Sequence, residues 1–99
     1  MAEIERAGEL MAAAAAVGDL QLLRCLGFVL GPPIKHMGHY ERALVTACDA
    51  GQIGVVTELL NMGVVPIDGH AMECAKREGH LDIINVLTRF YKNNPTTAY

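Results

Sequence analysis

Ala75-Lys76-Arg77-Glu78-Gly79-His80-Leu81-Asp82-Ile83-Ile84-Asn85-Val86-Leu87 decides how the chain is read, because its plan occurs three times in 99 residues. The plan is an alanine, a glycine four residues on, and apolar residues two, four and five beyond that glycine. The other copies are Ala14, Gly18, Leu20, Leu22, Leu23 and Ala47, Gly51, Ile53, Val55, Val56. A large apolar residue stands three positions before each alanine, as Met11, Leu44 and Met72. The glycines are 33 and then 28 residues apart, so the second junction is the shorter. Self-similarity at such a period is the mark of a repeat architecture.

Each position has a physical reading. The large residue and the alanine lie one helical turn apart on one face, and the alanine admits a close neighbour. The glycine ends the helix, since a residue without Cβ takes the left-handed conformation cheaply. The apolar stripe then restarts as Ile53, Val55, Val56, Leu59, Leu60 and as Leu81, Ile83, Ile84, Leu87, Phe90. Each unit is therefore predicted to be helix, tight glycine turn, helix. The expected units cover about 5–30, 39–63 and 68–92 of a single domain over 1–92, with residues 93–99 as a flexible tail. Gly27 to His39 is rich in glycine and proline and is predicted to be the longest loop, with Pro32-Pro33 incompatible with helix.

The phrase Glu78-Gly79-His80-Leu81-Asp82-Ile83-Ile84-Asn85-Val86-Leu87 resembles the second-helix signature of ankyrin repeats, and the 33-residue spacing agrees. Ala50-Gly51-Gln52-Ile53-Gly54-Val55-Val56-Thr57-Glu58-Leu59-Leu60-Asn61-Met62-Gly63 is similar through its closing glycine. The tetrads Glu9-Leu10-Met11-Ala12, Arg42-Ala43-Leu44-Val45 and His70-Ala71-Met72-Glu73 stand where that family usually has Thr-Pro-Leu-His, and keep at most its leucine. The connection from Val64 to His70 is short for a projecting β-hairpin finger, although Asp68 is suited to cap the next helix. The resemblance implies an all-α solenoid of three stacked helix-turn-helix repeats with reduced or missing β-hairpin fingers. It also implies binding to another protein through the concave helix-tip surface, with Glu41, Asp49, Ala50, Glu73, Arg77 and Glu78 as the expected contact residues.

Composition narrows the function. A hydrophobic share of 52% is too high for a disordered chain, yet no uncharged apolar run is long enough to span a bilayer. The start, with Glu3, Glu5 and Glu9 against Arg6, lacks the basic region of a signal peptide. Net charge is −3, and no third of the chain is net positive, so neither nucleic acid nor membrane is the expected partner. Three cysteines, Cys25, Cys48 and Cys74, are odd in number and widely spaced, which suits free thiols in a reducing compartment and a cytoplasmic location.

Catalytic readings are weaker. His36, His39, His70 and His80 with the cysteines supply nominal zinc donors, but His36 and His39 fall beside the Pro-Gly loop and no C-x-x-C accompanies them. His80 is already accounted for as the residue after a repeat glycine. Cys48 and Cys74 adjoin Ala47 and Ala75 and read as small buried hydrophobes, while Cys25 reads as half exposed. No serine exists in the chain, and no glycine cluster forms a phosphate loop. We therefore expect no catalysis, no metal and no cofactor. Two rival readings stay open. One is an assembly protein that self-associates through its apolar first unit, Leu10 to Val17. The other is a small metal- or thiol-dependent enzyme using His36, His39 and a cysteine.

Overall fold

The computed structural model describes residues 2–31, 36–64 and 69–93, and among them the chain is all-α, with no strand. Six helices follow in order: α1 Ala2–Val17, α2 Leu20–Leu30, α3 Met37–Ala50, α4 Ile53–Asn61, α5 His70–Glu78 and α6 Leu81–Asn93. Within each consecutive pair the helices pack on one another. Across pairs, α1 packs on α3 and α3 on α5, while α2 packs on α4 and α4 on α6. The helices thus form two layers of three.

The three turns are closed alike. The N–H of the residue after each glycine donates to the repeat alanine's carbonyl: Asp19 to Ala14, Gln52 to Ala47 and His80 to Ala75, each at 2.9 Å. Gly18, Gly51 and Gly79 have φ of 79°, 77° and 73°, the left-handed region that this closure needs. Asp19, Gln52 and His80 then begin the second helices, accepting from Leu23, Val56 and Ile84. The alanine-to-glycine spacing of four leaves the next residue to complete one such 6→1 closure.

Ala14, Ala47 and Ala75 are buried where the layers meet, together with Met11, Leu23, Leu44, Val55, Val56, Leu59, Ile83 and Leu87. Each of the larger side chains contributes about 1.5–3 kcal/mol by leaving water. The predicted stripes are only partly interior. Leu22 and Leu81 are exposed, and Ile84 and Phe90 are half-buried.

The loop expected from Gly27 to His39 is shorter than that. Gly27 to Leu30 are helical and α3 begins at Met37. Gly27 is a packing residue: a Cβ there would stand 2.8 Å from the Met62 methyl. The fully buried Tyr40 hydroxyl donates to the carbonyls of Gly27 (3.2 Å) and Gly31 (2.6 Å), which holds the end of α2 against α3. Breaker residues at this end serve close approach, and the helix survives them. Pro32-Pro33, the Asp68 cap, the segments where hairpin fingers would lie and the tail beyond Asn93 fall outside the described residues. Gly69 is the residue preceding α5.

Candidate protein-binding surface

The residues before the repeat glycines stand at the C-terminal ends of the first helices. Two of these ends, in α3 and α5, carry charge. Arg77 Nη2 lies 3.2 Å from Asp49 Oδ1, an ion pair across neighbouring units, with both side chains exposed. Arg77 Nε is 3.6 Å from Glu78 Oε2, and Arg77 also donates to Cys74 Sγ at 3.7 Å. The hydrogen bond to Asp49 is the main reason the guanidinium pKa is raised further above its ordinary value, followed by the charges of Cys74 and Asp49. Beneath this pair, His80 Nε2 is 3.2 Å from the Asp49 carbonyl. A carbonyl can only accept, so this contact requires the Nε2–H tautomer.

Asp49, Arg77 and Glu78 are thus brought together. Ala50 is exposed beside Asp49, and Glu73 is exposed one turn before Arg77 on α5. Glu41 is elsewhere: it is half-buried, two turns before Asp49 on α3, and its charge helps raise the Cys48 thiol. The row is also not free in the sense the sequence suggests, since Arg77 is already engaged by Asp49 and Glu78. What it presents is an ordered mixed-charge cluster.

Two features were missed at the sequence level. Arg24 and Glu58 form a two-point ion pair between α2 and α4, at 3.1 and 3.2 Å. This pair holds the Glu58 carboxyl below its usual range, first through the hydrogen bond from Arg24. Their helices were readable, but not that the 34-residue separation is one stacking step. The second feature is how far the apolar character of the first unit reaches. Leu10 and Val17 on α1 are exposed, as are Leu22, Cys25, Phe28 and Val29 on α2. Leu22, Cys25 and Val29 recur at helical spacing on the side away from Arg24, which faces α4; that spacing was the available signal.

The histidine and cysteine placements also differ from expectation. His36 precedes α3 and His39 lies in its first turn, with ring centroids 6.0 Å apart. Among the described residues no group of three or more His, Cys, Asp or Glu side chains is arranged to hold a metal. Cys48 is fully buried as predicted, but Cys74 is only half-buried and accepts from exposed Arg77. Cys25 is exposed rather than half exposed. No described helix is long and apolar enough to cross a membrane. The chain matches no protein-family model, and no curated protein or solved structure matches it.

Proposed function

We propose that this chain is a non-catalytic protein-binding module, an ankyrin-like α-solenoid of three units, that contacts its partner through the helix tips around Asp49, Ala50, Glu73, Arg77 and Glu78. The observation that carries the reading is the Arg77–Asp49 pair. Stacking brings two charges 28 residues apart in sequence into one exposed cluster. Exposed ion pairs of this kind add little to folding. Charge placed so is better suited to selecting a partner and steering its approach. The identical turn closures and the two-layer stacking support the solenoid. The free thiols suit a cytoplasmic setting.

The test exchanges the charges, Asp49→Arg with Arg77→Asp, so that an internal pair survives while the pattern shown to a partner is inverted. The native chain should retain a protein partner that the exchanged chain loses, by about tenfold or more in affinity, with circular dichroism unchanged. Charge reversal at exposed Arg89 on α6 should leave binding intact. Loss with Arg89 reversal and retention on exchange would refute the helix-tip reading.

A second reading is favoured by the exposed apolar side chains that the first unit carries on both helices, Leu10 and Val17 on α1 and Leu22 and Val29 on α2: self-association through the first unit. Contiguous exposed apolar surface commonly marks an interface. Sedimentation at micromolar concentration decides it, and a monomer removes it.

A further inference from the structure

Cys48 on α3 and Cys74 on α5 belong to neighbouring helices, and the register of the stack fixes how they meet. In the first junction Gly8 of α1 faces α3 closely: a Cβ at Gly8 would collide with the His39 ring. Two turns further along both helices the same facing sets Ala15 against Thr46. Ala15 follows Ala14 as Cys48 follows Ala47, and Thr46 precedes Ala47 as Cys74 precedes Ala75. Carried over to the next junction, the same register sets Cys48 against Cys74. One electrostatic influence and one set of contacts agree with this register. Burial pushes the Cys48 thiol up to about 12, with Cys74 and then Glu41 as the further contributors. Arg77 reaches both Cys74 and Asp49, the neighbour of Cys48. Ala47, Ala71 and Ala75, all fully buried, keep the side chains of the packed α3 and α5 small beside the two cysteines; a bridge would need a Cα spacing of roughly 5.5–6 Å.

We propose that Cys48 and Cys74 form a dithiol site that reacts with a low-molecular-weight disulfide and closes to a bridge between the second and third helical pairs. Half-buried Cys74 is the thiol a reagent reaches. Its Sγ attacks one sulfur of the small disulfide, forming a mixed disulfide and releasing one small thiol that carries the proton Cys74 lost. Cys48 then attacks Cys74 Sγ, and the second small thiol leaves with the Cys48 proton. The protein dithiol is oxidised by two electrons and the reagent is reduced to two thiols. Because burial raises the Cys48 pKa, the rate of closure rises with pH as its thiolate fraction grows.

The probe is oxidised glutathione, added in native buffer to a Cys25→Ser chain so that the exposed thiol does not compete. Mass spectrometry of the unreduced protein should show two hydrogens lost, no retained glutathione, and a Cys48–Cys74 linked peptide. Closure should speed up about tenfold per pH unit between pH 7 and 9, as the thiolate fraction does. A Cys74→Ala variant should leave Cys48 unmodified while the fold holds. A glutathione adduct that persists on Cys74 at pH 9 with Cys48 free, or no reaction at Cys74, would overturn the proposal.

Discussion

His80 Nε2 lies 3.2 Å from the Asp49 carbonyl, and Gln52 Nε2 makes the same reach, 3.1 Å to the Ala16 carbonyl. Both side chains belong to the residue after a repeat glycine, and both acceptors lie two residues before the glycine of the preceding unit. Each junction is thus bracketed by one side chain tied to the last turn of the neighbouring first helix. Asp19, at the same position in the first pair, caps its own helix by accepting from Leu22 N–H. Gln52→Ala should therefore lower stability by about 1 kcal/mol, and His80→Ala by somewhat less because its bond is the more exposed. Urea midpoints measure both, and no change for either would remove the bracket.

The same bracket separates two glycines with nearly equal backbone conformations. A Cβ at Gly51 would stand 2.7 Å from His80 Cε1, whereas at Gly79 it would meet nothing within 4 Å. Gly79→Ala should cost only the left-handed backbone, about 1 kcal/mol. Gly51→Ala should cost about 1 kcal/mol more, since His80 must also give up its place. Equal losses in denaturant would show that backbone strain alone explains both positions.

The layered helices were legible because the Ala-to-Gly spacing encodes a hydrogen-bonded closure, which is local. The Asp49, Arg77 and Glu78 cluster was legible for a related reason, since stacking aligns equivalent positions. Glu41 stands apart from that cluster, half-buried two turns before Asp49 on α3. Gly27 was misread as a loop residue: helical glycines and turn glycines look alike until the Met62 methyl and the Tyr40 hydroxyl are seen beside it.

The fully buried Tyr40 hydroxyl has two carbonyl acceptors, Gly27 and Gly31. Tyr40→Phe keeps the ring and deletes the donor, which leaves the Gly27 and Gly31 carbonyls to the end of α2 alone. A loss of about 1–2 kcal/mol is expected. Burial also raises the phenol pKa, because the anion would be the charged form inside the protein. Ultraviolet titration should accordingly find Tyr40 ionising above its ordinary value in the folded chain and losing that shift in urea. The Phe variant should lack this late tyrosine; its persistence would assign the shift to another residue.

The Arg24–Glu58 pair ties the second-helix layer together and makes a prediction with a definite sign. Arg24 depresses the Glu58 pKa in the folded state, so the stabilisation is present above the unfolded carboxyl value, about 4.3. It is lost as pH falls through the lower folded value. Glu58→Gln should therefore unfold at a lower urea concentration than the native chain at pH 7, and the gap should close as pH drops below about 4. Because the pair is exposed, added salt should shrink the pH 7 gap as well. A gap that stays constant from pH 7 to pH 3 would mean that the glutamate's packing, and not its charge, is what α2 and α4 share.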